Sequence, residues 1–266
     1  MKLLADIGNS QIKVAEAQNQ NLLKIKSFPL EDIDKFHKYI TKTYINKDCT
    51  LFYSSVLGVK FNKEFKKKLK GIFVKETEFK STKTLLSVKN CYPQASRLGP
   101  DRWAQIVAAY KIFGKNIMIV SCGSAISIDY VTGSGNHKGG LILSGAERYS
   151  NCFSDIHNLK NIKLSINQNK NSKILQSNTL KQITTGYRVM ISSSINEIYS
   201  NLCQKSKPKP KLLITGSYSK NISRYLKIKC LVEPYFVLKS LASVSYTHLR
   251  AHETSLHLVC RLLLEK

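Results

Sequence analysis

Leu3-Leu4-Ala5-Asp6-Ile7-Gly8-Asn9-Ser10-Gln11-Ile12-Lys13-Val14 is the stretch whose reading decides the fold. Its first half is a short buried strand interrupted only by Asp6. Gly8-Asn9-Ser10 makes a tight turn, and a second strand returns through Ile12 and Val14. The turn offers backbone N–H groups, the Asn9 amide, the Ser10 hydroxyl and, just beyond, the Lys13 ammonium. Such donors suit phosphate oxygens, in a cradle made from a hairpin rather than a helix start. Asp6 ends the buried strand and points at whatever the turn holds, and a magnesium–phosphate group is the natural guest for that carboxylate. Taken alone, the stretch also reads as a plain hairpin with Gly-Asn at its tip.

The same pattern recurs in the second half. Lys115 to Val120 reads as a strand, Ser121-Cys122-Gly123-Ser124-Ala125 as a small-residue turn, and Ile126 to Val131 alternates like a returning strand. Two such turns facing each other would clamp a polyphosphate. Between them come a strand (22–28), a helix from about 30 to 43, a strand (50–54), a basic helix and a strand at Ile72-Phe73-Val74, an alternation that argues for an α/β layer. Further on, Gly139 to Gly145 reads as a strand between glycine turns. A long helix starts near Asn178 or Thr179, with Leu180, Ile183, Met190, Ile191, Ile195, Ile198 and Leu202 on its apolar side. Leu212 to Gly216 is a strand running into a glycine turn, a common place for a nucleotide.

Leu98-Gly99-Pro100-Asp101-Arg102-Trp103 is where the chemistry concentrates. A Gly-Pro bend is followed by a carboxylate, a guanidinium and the only tryptophan. Trp103, Ile106, Val107 and Tyr110 then recur at the spacing of an amphipathic helix ending near Gly114. Asp101 and Arg102 fall in its first turn, at the positive end of the helix dipole, which holds an acid ionised and aims it outward. Such an Asp is either a helix cap or a base. Tyr92, just upstream, is either a buried ring or part of a pocket wall.

The chain has 266 residues, 42% of them apolar, enough for one large domain or two ordinary ones. No window approaches the ~20 apolar residues of a membrane span, and no signal peptide is evident. Seven cysteines without a CxxC pair form neither a disulfide framework nor a zinc site, which fits a reducing cytoplasm. The net charge of +25 suits either a nucleic-acid binder or an enzyme steering anionic substrates. The lysines are spread along the chain. Those from Lys60 to Lys70 read as the solvated face of a helix with Phe61, Phe65 and Leu69 inward, and Lys205 to Lys211 as an exposed loop. From about Ser243 the character changes, with His248, His252 and His257 packed into a Ser-Tyr-Thr-His-Leu-Arg-Ala-His-Glu-Thr string. That tail reads as non-native read-through and is set aside from function; a His-rich metal site is the rival reading.

In order along residues 1–242, Asp6 to Lys13, Tyr92, Leu98 to Trp103, Cys122-Gly-Ser-Ala125, Gly139 to Gly145 and Ile214-Thr-Gly216 together resemble the motifs of the type III pantothenate kinase family. The resemblance implies the actin-like ATPase fold of the acetate and sugar kinase/Hsc70/actin superfamily. It implies two ribonuclease H-like domains, residues 1–113 and 114–242, with the active site in the interdomain cleft and residues 243–266 as the non-native tail. It further implies a cytoplasmic homodimer that uses ATP, a divalent metal such as Mg2+ and a monovalent cation, K+ or NH4+. The reaction implied is phosphorylation of pantothenate to 4'-phosphopantothenate, the first step of coenzyme A synthesis.

Carried onto this sequence, Asp6, Ile7, Gly8, Asn9, Ser10, Gln11, Ile12 and Lys13 match the first phosphate motif, with Asp6 orienting the divalent metal through water. Gly123 and Ser124 match the second, and Gly216 the adenosine region. Asp101 matches the general base. Tyr92, Gly99, Pro100, Asp101, Arg102 and Thr179 match the pantothenate positions, with Arg102 on the substrate carboxylate. Three residues depart from the family pattern. Ser121 stands where a monovalent-cation aspartate is usual, with Asp129 as a candidate to compensate; Ser144 replaces a proline; Ser217 replaces a glycine. The high charge and Ser121 leave two other readings open: a transcription accessory or nucleic-acid-associated protein on the same fold, and an inactive ATP-binding relative.

Overall fold

The computed structural model describes residues 1–18, 21–159, 164 and 173–246. Long-range packing divides the chain into two units, neither continuous in sequence. Unit 1 comprises Met1–Ser81, Ser96–Ala108 and the chain from Val237; unit 2 comprises Thr82–Ala95 and Ala109–Phe236.

Unit 1 is built on a five-stranded sheet of β1 (Lys2–Ile7), β2 (Gln11–Gln18), β3 (Asn21–Pro29), β4 (Thr50–Ser55) and β5 (Lys75–Glu78), in the order β3-β2-β1-β4-β5. The first three strands form an antiparallel meander, and β4 and β5 extend it in parallel. The parallel steps need crossovers, and helices supply them: α1 (Ile33–Tyr44) before β4 and α2 (Gly58–Leu69) before β5. α1 buries Phe36, Ile40 and Tyr44, and α2 buries Phe65 and Leu69, each set at intervals of four that align on one helical face. With Leu3, Ala5, Ile7, Ile12 and Val14 these side chains form one core cluster. The lysines of α2 lie on its outer side, as the sequence suggests.

The strand expected at Ile72-Phe73-Val74 is displaced. Gly71, at φ +83°, ends α2 in the left-handed conformation that glycine adopts cheaply. Ile72 and Phe73 then turn into the core, Val74 N bonds Cys49 O at 3.0 Å, and the strand begins at Lys75.

Unit 2 repeats the plan. A small hairpin, β6 (Thr84–Leu85) with β7 (Val88–Lys89), precedes the shared helix α3 (Pro100–Phe113), which unit 1 claims to Ala108 and unit 2 from Ala109. Then follow β8 (Ile117–Cys122), β9 (Ala125–Val131), β10 (His137–Ser144), β11 (Lys211–Thr215) and β12 (Leu231–Val232) in the order β10-β9-β8-β11-β12. The pairing is again antiparallel, antiparallel, parallel, parallel. One strand order with one pattern of directions therefore occurs twice.

Among the described residues, unit 2 also carries the α-helices α4 (Ala146–Asn151), α5 (Thr179–Lys205) and α6 (Ser219–Ser223). Asn178 caps α5, its side chain accepting from Lys181 N at 3.2 Å. The buried face of α5 is Tyr187, Ile191 and Ile195, whereas Leu180 and Met190, expected inside, are 41% exposed. Tyr187, not expected on that face, packs its ring on Tyr149 at 4.9 Å and donates its hydroxyl to the Ser144 carbonyl at 3.2 Å.

A further helix, α7, occupies residues 236–246. Leu238, Leu241, Ala242 and Val244 are buried, and Ser245 Oγ accepts from Lys2 Nζ on β1 at 3.2 Å. The boundary expected at Ala242 thus falls within a packed helix. His248, His252 and His257 lie outside the described residues.

Candidate active site

In unit 1 the β1–β2 hairpin presents Asp6 at the end of β1. Gly8 N bonds Gln11 O at 3.0 Å to close the turn, leaving Asn9, Ser10 and Gln11 exposed while Ile7 and Ile12 are buried beneath. Asp6 faces Lys13 across the antiparallel pair and Ser54 across the parallel one. Ser54 Oγ donates to Asp6 Oδ1 at 3.3 Å.

The start of α3 supplies the second acid. Leu98 is fully buried, and its carbonyl accepts from Ser81 Oγ at 2.7 Å, which anchors the bend. Trp103 N bonds Gly99 O at 2.9 Å, opening the helix. The Asp101 carboxylate folds back over Gly99: a Cβ on Gly99 would stand 2.6 Å from Asp101 Oδ1. Pro100, whose missing N–H costs nothing at the first helical position, begins α3. Arg102 is only 8% exposed, so most of its side chain is enclosed by protein. The expected amphipathic face holds for Trp103, Ile106 and Val107, but Ala104, Gln105, Ala108 and Ala109 are buried as well.

Asp6 and Asp101 interact. Burial pushes the Asp6 carboxyl up to about 7, the negative charge of Asp101 pushes the same way, and Lys13 and the Ser54 hydroxyl oppose both. Two neighbouring carboxylates resist joint ionisation, and a hard divalent cation relieves that repulsion through oxygen donors. The residues present therefore fit a magnesium ion at Asp6.

In unit 2 the second turn is closed by Gly123 N bonding Ala125 O at 3.1 Å. Gly145 packs so closely beneath it that a Cβ there would overlap the Gly123 and Ser124 carbonyls. Gly216 meets the same turn from β11. Its φ is +93°, a Cβ would overlap the Cys122 carbonyl, and Tyr218 N donates to that carbonyl at 3.2 Å. Gly123, Ser124 and Gly216 are thus brought together, two strand ends and two glycine turns in one place. We expect Gly216→Ala to cost about 1–3 kcal/mol in urea unfolding, since an L side chain there is strained and also clashes. Gly186, exposed in α5 with open space around its Cβ position, is the contrast: Gly186→Ala should gain about 0.5–1 kcal/mol.

Ser121 lies on β8 beside Ser127 of β9 and Thr215 of β11. These are neutral hydroxyl donors. Asp129 is buried two residues further along β9, and its Oδ1 is taken by His137 Nε2 at 3.1 Å. The donor set around Ser121 does not match a carboxylate-anchored monovalent-cation site. Tyr92 belongs to unit 2, half-buried, with its ring stacked parallel to His137 at 6.2 Å. Thr179 is exposed at the first turn of α5.

The pattern that defines the type III pantothenate kinase family matches residues 2–201. The chain belongs to that family. Type III pantothenate kinases of Chromohalobacter salexigens and Sulfurihydrogenibium sp. are similar to it. The first is 29% identical over 163 residues, 61% of this chain and 57% of that protein. The second is 26% identical over 91% of this chain and 98% of its own length. Among solved structures, a conserved candidate Baf family transcriptional activator from Campylobacter jejuni superposes with a TM-score of 0.61. It covers 93% of this chain and 99% of that one at 22% identity, a likeness of fold alone. The kinase family and the doubled sheet order agree on the actin-like fold with two ribonuclease H-like domains.

Sequence reasoning missed the Asp129–His137 pair. The register irregularity between His137 and Gly140 brings the imidazole to Asp129. The available signal was Gly139-Gly140 next to a histidine at a strand start, and it names no partner.

Proposed function

We propose that this chain transfers the γ-phosphoryl group of ATP to the hydroxyl of pantothenate, with Asp101 as the general base. The observation that carries the reading is the Asp6–Asp101 pair, one acid at a hairpin of phosphate-type donors and the other aimed by a helix start. Phosphoryl transfer asks little covalent chemistry of the protein; positioning and charge neutralisation dominate. Asp101 accepts the hydroxyl proton as the oxygen attacks. Backbone N–H groups of the exposed turn residues Asn9 and Ser10, the Ser10 hydroxyl and Lys13 hold phosphate oxygens, as does the Gly123–Ser124 turn. Gly216 leaves room for the adenosine. Asp6 would hold a magnesium ion, which would supply neutralisation of phosphate charge. Tyr92, Gly99, Pro100, Arg102 and Thr179 position pantothenate, with the Arg102 guanidinium on its carboxylate. The kinase acts as a cytoplasmic homodimer.

The test is ADP release measured with ATP and magnesium, with and without pantothenate. Pantothenate-dependent release supports the reading. Release that ignores pantothenate, or none at all, returns the chain to an inactive or accessory role. The same assay addresses Ser121. We expect weak activation by K+ or NH4+ in the native protein and stronger activation in Ser121→Asp, which restores an ionised donor. Equal activation in both proteins would show that the cation is held elsewhere.

A further inference from the structure

Cys91, His137 and Asp129 of unit 2 form a line of hydrogen-bonded side chains that phosphoryl transfer does not use. Cys91 Sγ lies 3.4 Å from His137 Nδ1, and His137 Nε2 lies 3.1 Å from Asp129 Oδ1. The backbone builds this line. Lys89 bridges in parallel to Asn136, and Lys89 N bonds Gly135 O at 2.8 Å, so the chain after β7 runs beside the start of β10. Gly140 leaves the space that the Asp129 carboxylate fills: a Cβ there would stand 2.7 Å from Asp129 Oδ1. His137 and Asp129 are 2% and 3% exposed, while Cys91 is exposed.

Burial strengthens the Asp129–His137 bond and defines the imidazole's role. The tautomer that donates Nε2–H to the carboxylate presents its Nδ1 lone pair to the thiol. If Nδ1 takes the Sγ proton, Asp129 stabilises the imidazolium that results, as in a nucleophile–base–acid triad. The outcome is a thiolate at the surface beside a buried cation, the environment of a reactive cysteine.

We propose that Cys91 is a reactive thiol, activated by His137 and Asp129, that exchanges reversibly with low-molecular-weight disulfides and thereby closes the neighbouring position of Tyr92. The Sγ proton passes to His137 Nδ1, and the thiolate attacks one sulfur of the disulfide. The old S–S bond breaks, a new one joins Cys91 to one half, and the other half leaves as a thiolate that takes the proton from His137. Cys91 is oxidised to a mixed disulfide, and the leaving half is reduced to a free thiol by the same electron pair. The adduct sits one residue from Tyr92, whose ring covers His137 and whose backbone is held by Asn90 Oδ1 at 3.0 Å and Lys83 Nζ at 3.1 Å. Closing the substrate position rests on the pantothenate reading of Tyr92; the reactivity of Cys91 does not.

Cys152 is an exposed cysteine in the same unit, with Sγ facing the Arg148 carbonyl at 3.5 Å, and serves as the internal reference. Alkylation of the whole protein by iodoacetamide at pH 7, followed by peptide mass spectrometry, should label Cys91 about tenfold faster than Cys152. His137→Gln should bring Cys91 down toward the reference. Equal rates at the two cysteines in the native protein would overturn the proposal whether or not the His137 variant folds. An unchanged Cys91 rate in a folded His137→Gln would do the same. Glutathione disulfide should then add one glutathione at Cys91 and raise KM for pantothenate about fivefold or more. Dithiothreitol should reverse both changes, and Cys91→Ser should keep native turnover and resist the reagent. An adduct that forms at Cys91 without altering KM would sink the Tyr92 part alone.

Discussion

Replacing Asp101 by Asn lowers kcat about 10²–10⁴-fold, the range that a positioned general base supplies, while ATP binding persists. The amide keeps the size of the side chain and its place at the start of α3, so the loss reports proton acceptance rather than folding. Asp101 can fill both roles the sequence left open. The helix start that stabilises a carboxylate also aims it, and the back-folded geometry over Gly99 holds it there. A second consequence separates the substitution from simple damage. Asp101 is one of the causes that raise the Asp6 carboxyl. Asp101→Asn removes that charge, so the metal-free variant should unfold at higher urea than the native protein at pH 8. Titrating unfolding and turnover on the same preparation checks both. Near-normal kcat would remove Asp101 from the base role, and a less stable protein would show that the two acids do not repel.

Much of this arrangement could be read in the chain because local chemistry reports it. Strands β1 and β8 announce themselves as short apolar runs ahead of glycine turns, β2 and β9 as the strands returning from them, and α1 and α2 by residues at intervals of four. Placement of the acids follows from punctuation: Asp6 ends a strand and Asp101 follows a Gly-Pro bend. What was not legible depends on distant partners. β5 has the sequence Lys-Glu-Thr-Glu, a polar edge strand without apolar periodicity, while the apolar Ile72 and Phe73 before it serve a turn. The spacing in α3 selects one face, yet Ala104, Gln105, Ala108 and Ala109 are buried too, because tertiary packing encloses the helix. Nothing local assigns Thr82–Ala95 to one unit and Ser96–Ala108 to the other. The same holds at the site. Gly123, Ser124 and Gly216 converge through the carbonyl of Cys122, and Asp129 finds His137 through an irregular register.

Asp6→Asn should stabilise the metal-free protein at alkaline pH while abolishing turnover. The sign follows from linkage. The folded carboxyl titrates at about 7 against 3.8 without the fold. Between those values the folded state keeps a proton that the unfolded chain has released, so stability falls as pH rises through that window and levels off above it. The full difference corresponds to about 4 kcal/mol, an upper value. Asn imitates the protonated acid and still accepts from Ser54 Oγ. In urea unfolding with EDTA, the variant should therefore match the native protein near pH 4 and exceed it by about 2–4 kcal/mol at pH 8. Adding magnesium at pH 8 should stabilise the native protein and leave the variant unmoved, since the charge that attracts the ion is gone. An equal offset at both pH values would mean that the Asp6 carboxylate carries no penalty, and equal responses to magnesium would place the ion away from it. If both expectations hold, the end of β1 is a site where stability is given up so that a buried charge can meet its ligand.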